Sequence, residues 1–321
     1  MKLVAFCGKL SLRPLTMFSG LAYVAAALSG PALAQEDLEL GPPPAASVAE
    51  PPEGSVSGMG DVNLYPKRVV IDRRQRVASI GLYNRTADKG DYEISILDML
   101  MGPDGNLYRL DNLPDGANAD RLQAASSMLR YSPRRVELRG NEAQTVRIMA
   151  RPPADLPDGE YRAHFQVISK PRDADQGLSI DDAVNGLAAS GQGIGVSIRP
   201  RFGIAIPVIV RVGETTLDVS LSEPRLVETD AGPAIALTIN RSGTRSAFGD
   251  LIVTAPGSDE PVAIARGVGV YPEVDTRDVL LGIDADFDRT LLRSGTTLTV
   301  TYLDDDVTPG ATLAMREFQV P

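Results

Sequence analysis

The stretch IGVSIRPRFGIAIPVIV, at positions 194–210, decides the fold of this chain. Its apolar side chains fall on even positions on both sides of Pro200, whereas the odd positions are mostly small or polar. The even-numbered apolar residues are Ile194, Val196, Ile198, Phe202, Ile204, Ile206, Val208 and Val210. Because side chains alternate between the two faces of a β-strand, this pattern predicts a long strand with one apolar face.

Shorter runs of the same kind continue on both sides of this stretch. From 62 to 168 they are separated by turn residues, of which PDGN at 103–106 predicts a tight turn. Residues 117–129 break the series and predict a short helix or a coil excursion. From 216 to 320 about seven more runs follow at a spacing of roughly ten residues, as in an immunoglobulin-like sandwich. We therefore predict an all-β protein with two immunoglobulin-like β-sandwich domains.

The N-terminus has the order of a secretory signal peptide. Lys2, Lys9 and Arg13 precede an apolar run at 15–28, and ALA at 32–34 provides an A-x-A cleavage site. An uncleaved membrane anchor is the alternative, but the run is short for a span and is broken by Ser and Gly. The predicted division is a signal peptide at 1–34, cleaved after Ala34; a disordered leader rich in Pro at 35–60; an N-terminal domain at 61–213; and a C-terminal domain at 214–321.

Charge and cysteine content exclude several classes of function. The formal net charge is −10, and losing the three cations of the signal peptide takes it to −13, so no general attraction to nucleic acid or anionic lipid is expected. The one cysteine, Cys7, lies in the signal peptide. The mature chain therefore has no disulfide and no thiolate for a metal, and we expect apolar cores to stabilise it without a cofactor.

Candidate catalytic and metal-binding residues are few. The single histidine, His164, lies within a strand run, where a packed side chain is favoured over a catalytic one. There is no nucleophile elbow, and GQGIG at 191–195 precedes a strand, whereas a dinucleotide motif follows one. The acidic groups at 284–288 and 304–306 are interpreted as solvated turns, since Arg289 stands where a calcium loop needs glycine. We predict a protein that is not an enzyme and binds no metal or small-molecule substrate.

The long alternating stretch combines features of a core strand and of a sheet edge. Pro207 has no backbone N–H to donate, which places the strand at least partly at an edge. A long apolar edge promotes aggregation, so its retention favours pairing with another chain. Residues 204–210 are interpreted mainly as core. For residues 194–198, which follow a polar and Gly/Ser-rich connection at 171–192, partner binding is favoured.

Several segments together resemble a known family, the periplasmic chaperones of the chaperone–usher pilus pathway. The resemblance covers about residues 60–212 and is only general in the second domain. It is carried by YPKRVVI at 65–71, IGLYN at 80–84, YSPRRVEL at 131–138, QTVRI at 144–148, GEYR at 159–162 and IPVIVR at 206–211.

The resemblance implies a periplasmic, ATP-independent chaperone with its two domains in an L or boomerang arrangement. Such a chaperone lends a strand to secreted pilin-like subunits and passes them to an outer-membrane usher. The donor residues implied here are Ile194, Val196, Ile198, Phe202 and Ile204.

The family also implies two cations that hold the carboxylate at the C-terminus of the subunit. Arg68 matches the first position, whereas Pro207 stands where many members have Lys. Either Arg201 or Arg199 substitutes for that Lys, or Arg68 acts alone. The alternative function is a structural or adhesive surface protein built of sandwich domains, and a hydrolase is a more distant third.

Overall fold

The computed structural model describes residues 50–57, 60–170 and 201–321. These residues form strands and three short 3-10 helices, and none of them is in an α-helix. The prediction of an all-β protein is therefore confirmed. Across the same ranges, no helix has the length and hydropathy needed to cross a membrane.

The first sandwich consists of two five-stranded sheets, which we call sheet A and sheet B. Strands β1 to β12 are Val56–Ser57, Val62–Tyr65, Val69–Ile71, Val77–Asn84, Gly90–Leu97, Met99–Met101, Leu107–Arg109, Leu129–Ser132, Arg135–Leu138, Ala143–Ala150, Gly159–Ser169 and Gly203–Val212. Sheet A has the order β1-β2-β4-β10-β8, and sheet B has the order β3-β12-β11-β5-β9. In sheet B, β12 pairs antiparallel with β11 and parallel with β3.

The core of the first sandwich follows from alternation along its strands. In sheet A, Ile80 and Leu82 of β4 are buried, and Val146 of β10 pairs directly with Ile80. In sheet B, Phe165 of β11 pairs with Ile206 of β12, and both are buried in the same cluster. Burying these side chains supplies the main stabilisation, at about 1.5–3 kcal/mol for each large aliphatic residue.

The second sandwich has a three-stranded and a four-stranded sheet, with orders β13-β14-β17 and β16-β15-β18-β19. Strands β13 to β19 are Leu217–Thr229, Gly232–Gly243, Ala247–Thr254, Ala263–Val270, Thr276–Gly282, Thr297–Asp304 and Thr312–Gln319. Its core contains Ile235 and Leu237 from one sheet and Leu251, Val253 and Val300 from the other. We keep the division near residue 213 as a proposal; β12 ends at residue 212 and β13 begins at residue 217.

A hairpin from the first half of the chain reaches the second core. Strands β6 and β7 pair across the turn at 103–106, where Gly105 has a φ of +80°. Glycine adopts this left-handed conformation without steric cost, and the predicted tight turn is confirmed. Met101 of β6 lies in the apolar cluster of the second sandwich, and the N–H of Asp278 donates to the carbonyl of Pro103.

Two segments differ from the sequence prediction or refine it. The predicted leader at 35–60 should have little structure, but Val56 pairs with Leu64 and packs against the first core. Its apolar side chain gains enough from burial to order the end of the leader. Residues 117–129 form two 3-10 helices, Ala119–Arg121 and Ser126–Met128, in place of one regular helix.

Candidate partner-binding edge

The unpaired edge of sheet B lies on the first half of β12. Residues 203–212 of this strand pair with β11 along its whole length, whereas β3 pairs only with Val208, Ile209 and Val210. Within the described ranges, residues 203–207 therefore have no ladder partner on the side of β3. The parallel pairing stops next to Pro207, which has no N–H to donate.

The predicted donor residues fall into three groups. Phe202 and Ile204 are half-buried at the unpaired edge, and Ile204 also packs against the first core. Ile194, Val196 and Ile198 lie outside the described residues. Farther along the strand, Ile206, Val208 and Val210 are buried, as the interpretation of 204–210 as mainly core predicts.

The structure buries Arg68, the predicted carboxylate anchor, at the start of β3. Its side chain is 6% exposed, and Nη1 lies 3.4 Å from Oδ2 of Asp306 in the second sandwich. Nη2 donates to Oγ of Ser246 at 2.9 Å, and the guanidinium carbon lies 4.4 Å from the ring centroid of Phe248. The charge of Arg68 is thus already compensated within the chain.

The cations considered as its partner are placed elsewhere. Arg201 is half-exposed, and its nearest acidic group is Glu93 of β5, at 3.9 Å. The structure does not bring Arg201 together with Arg68. Arg199 lies outside the described residues. The identity of a second anchor stays a prediction.

Three arginines surround the carboxylate of Asp306. Arg211 of β12 donates to it through a short hydrogen bond and also contacts Glu160, while Arg68 and Arg245 lie within ion-pair distance. Burial favours the protonated acid, but the hydrogen bond from Arg211 and the three positive charges hold the pKa of Asp306 below its usual value. Asp306 is therefore a carboxylate that joins the two sandwiches.

The reading of residues 304–306 as a solvated turn is wrong for two of the three. The carboxylate of Asp304 is buried and accepts backbone N–H groups of Asp306 and Thr308 at 3.0 and 2.9 Å. The side chain of Asp306 is 4% exposed. The sequence interpretation failed because the arginines that compensate Asp306 come from distant segments. Asp305 alone is exposed.

A second buried ion pair joins β11 to the second sandwich. The guanidinium of Arg162 donates to both carboxylate oxygens of Glu273, and both side chains are almost fully buried. The ring of Tyr271 stacks 3.6 Å from the guanidinium carbon, and the N–H of Met101 donates to Glu273 at 2.9 Å. Each charged group is paired and hydrogen-bonded, which is the condition for burying charges. Sequence analysis missed this pair, because the alternation of β11 marks one face as core but gives no partner for the other.

His164 is buried on the same face of β11 as Arg162. Neither ring nitrogen has a hydrogen-bond partner among the described residues, and the residue pairs with Pro207 across the sheet. Burial, with a smaller effect from the charge of Arg162, lowers the pKa of His164 to about 3. The imidazole is therefore neutral at ordinary pH, and its position is that of a packed strand residue. In the ranges that the structure describes, no three metal-ligating side chains come together.

Comparisons with known proteins give structural similarities only. No family model matches the sequence, and no curated protein matches it. A crystal structure of the YadV chaperone is 12% identical and covers 81% of this chain and all of its own, with a TM-score of 0.41. The CupB2 chaperone of Pseudomonas aeruginosa is 13% identical and covers 80% of this chain and all of its own, with a TM-score of 0.39.

A third similar structure is the complex of CsuC with the tip adhesion subunit CsuE, from archaic chaperone-usher pili of Acinetobacter baumannii. It is 12% identical and covers 81% of this chain and 98% of that one, with a TM-score of 0.38. Similarity at this level carries no argument about function. The proposal below therefore rests on the edge of β12 and the residues around it.

Proposed function

We propose that this chain is a periplasmic, ATP-independent chaperone that binds secreted pilin-like subunits by strand addition and passes them to an outer-membrane usher. The observation that carries the proposal is the unpaired edge of β12 at residues 203–207. A strand added there would complete the ladder with main-chain hydrogen bonds, and the half-buried Phe202 and Ile204 would share their apolar surface with it.

The way the two sandwiches are joined supports a binding role. Two buried ion pairs, Arg162–Glu273 and Arg211–Asp306, hold the second sandwich against the first. Breaking either one would leave an uncompensated buried charge, which typically costs 3–5 kcal/mol. The edge of β12 is thus presented by a firmly joined scaffold, which lowers the entropy lost when a partner strand binds.

The signal peptide and the absence of thiols in the mature sequence fit work in the periplasm. Capping an exposed strand or groove on a subunit requires only binding free energy, because a bound partner shifts the folding equilibrium of the subunit by mass action. No nucleotide or metal is needed for this step. The proposal includes the predicted anchor Arg68 and the donor residues Ile194, Val196 and Ile198.

The alternative is a structural or adhesive surface protein. Such a protein would use its sandwiches as spacers, and its partners would not depend on the edge of β12. The two functions differ in where the protein is found and in whether edge substitutions release its partners.

A co-purification experiment tests the proposal. The tagged full chain is expressed in its native host, recovered from the periplasm, and its partners are identified by mass spectrometry. We expect secreted β-rich subunits with the wild type and their loss with Ile204→Asp and with Phe202→Asp. Ile264→Asp is the matched control, because Ile264 is an exposed isoleucine on β16, an edge strand of the second sandwich.

Circular dichroism of each variant separates lost binding from lost folding. If folded Ile204→Asp and Phe202→Asp retain the same partners as the wild type, strand addition at this edge is wrong. The surface-protein function then becomes the better explanation.

A further inference from the structure

The unpaired edge of β12 is closed at one end by β3. Val208 pairs with Val69 in parallel, and continuing that register by one residue places Arg68 level with Pro207. The residues before β3, Lys67 and Arg68, therefore lie where the unpaired stretch ends. A strand that adds to residues 203–207 cannot continue past this point, because β3 occupies the next positions.

The charges at this end select one direction of the added strand. A strand parallel to β12 brings its C-terminal end to Lys67 and Arg68, whereas an antiparallel strand brings its N-terminal end. If the strand stops there, the first presents a carboxylate and the second an ammonium group. Cations attract the carboxylate and repel the ammonium, so the parallel direction with a free C-terminus is favoured.

Of the two cations, Arg68 is the one already occupied. A carboxylate that took Asp306 away from Arg68 would disturb a buried cluster that also holds Arg211. The guanidinium of Arg68 is further enclosed by Phe248 and Ser246. Because separating a buried ion pair costs several kcal/mol, exchange at Arg68 is unfavourable.

Lys67 offers the opposite situation. Its side chain is 44% exposed, and Nζ lies 3.1 Å from Oδ2 of Asp305, which is 40% exposed. Nζ also lies 5.7 Å from the ring centroid of Phe248, so the ammonium group stays beside Arg68. Exposed ion pairs contribute only about 0–1 kcal/mol, and an arriving carboxylate can therefore replace Asp305 at little cost.

We propose that Lys67 receives the C-terminal carboxylate of the partner strand and that Asp305 is the counter-ion it displaces. This inference rests on the proposed function, since it assumes strand addition at residues 203–207. It defines the partner class more narrowly: a polypeptide whose last strand ends in a free carboxylate at the start of β3.

The test uses a short peptide of alternating valine and threonine, labelled with fluorescein at its N-terminus, as a free acid and as a C-terminal amide. Binding to the full mature chain is measured by fluorescence anisotropy. We expect the wild type to bind the acid about 3- to 10-fold more tightly than the amide, as expected for one charge-assisted contact. Lys67→Met abolishes this difference and Lys67→Arg keeps it.

Asp305→Asn provides a change of opposite sign. Removing the resident counter-ion tightens binding of the acid by about 2- to 3-fold and leaves the amide unchanged. Lys89→Met is the matched control, because Lys89 forms an exposed pair with Glu137 at 2.7 Å on the far strand of sheet B. It should bind both peptides as the wild type does.

The outcomes separate this inference from the proposed function. If Ile204→Asp loses both peptides while Lys67→Met still prefers the acid, the edge binds strands but Lys67 is not the anchor. Equal binding of acid and amide by the wild type likewise overturns the inference and leaves the edge intact. If the wild type binds neither peptide, or Ile204→Asp binds both normally, both proposals are wrong.

Discussion

The two halves of β12 have the same kind of sequence and different surroundings. Residues 203–207 have β11 on one side, whereas Val208, Ile209 and Val210 lie between β11 and β3. Both halves alternate apolar side chains, but only the second half has both ladders filled and its core-facing residues fully buried. The comparison shows that an alternating pattern identifies a strand, while its neighbours decide which part is an edge.

The border between the halves shows the same contrast in charge. Lys67 and Arg68 are adjacent in sequence and both lie over the ring of Phe248. The ion pair of Lys67 with Asp305 is exposed, whereas that of Arg68 with Asp306 is buried. Two neighbouring cations, each paired with one of two neighbouring acids, thus differ in how readily a partner can reach them.

Aspartate substitutions in the two halves should give the largest difference. Val208→Asp places a carboxylate in the core without a partner, and we expect it to lower the free energy of unfolding by more than about 4 kcal/mol or to prevent folding. Ile204→Asp lies at the half-buried edge and should cost about 1–2 kcal/mol. Urea unfolding followed by circular dichroism measures both. Equal losses would show that the two halves do not differ in burial.

Removing the two acids at the border should give the next largest difference. Asp306→Ala leaves three arginines without their shared carboxylate and should cost about 3–5 kcal/mol of stability. Asp305→Ala breaks an exposed pair and should cost less than about 1 kcal/mol. The same urea titration compares them at neutral pH. A large loss in Asp305→Ala would mean that this pair is not exchangeable.

Acid should weaken the fold through His164, which lies opposite Pro207 at the border. Its folded pKa of about 3 is below its ordinary value of 6.5, so the unfolded chain binds the proton first. Stability is therefore complete above about pH 6.5 and falls as the pH decreases towards 3, by about 2 kcal/mol between pH 7 and 5.

Unfolding titrations at pH 7, 6 and 5 measure this dependence, and His164→Leu should flatten it. Carboxylates with lowered pKa values, such as Asp306, lose their contribution only below about pH 4, so they interfere little in this range. An equally steep dependence in His164→Leu would assign the effect to other groups.

The smallest effect is expected for Lys67 itself. Lys67→Met should change the free energy of unfolding by less than about 1 kcal/mol, as should Lys89→Met, because both lysines form exposed ion pairs. Thermal unfolding of the two variants beside the wild type measures this. A clear loss in Lys67→Met alone would place Lys67 in the scaffold and weaken its assignment as an exchangeable anchor.

Sequence analysis predicted the parts of the fold that depend on local pattern. The strand at 203–212, the turn at 103–106 and the assignment of Ile206 and Val208 to the core all follow from periodicity or turn chemistry. It did not predict the pairing of Arg162 with Glu273. These residues are separated by 111 positions, and no local pattern links them.

The candidate site was predicted in part. Pro207 correctly indicated that part of β12 is an edge, and Arg68 was correctly placed at the start of β3. Its burial and its pairing with Asp306 were not predicted, because 304–306 resembles any acidic turn. The accessible cation, Lys67, is part of the YPKRVVI stretch, but nothing in that stretch distinguishes its exposure from that of Arg68.

By itself, the sequence determined that this chain forms β-strands, which faces of those strands are apolar, and where the turns fall. These properties depend on the period of the side chains and on backbone preferences within a few residues. Only the tertiary structure decided that β3 covers half of β12, that Asp306 is enclosed by arginines, and that Lys67 stays exposed. The reason is physical: coverage and charge compensation depend on segments that are distant in sequence and meet only after folding.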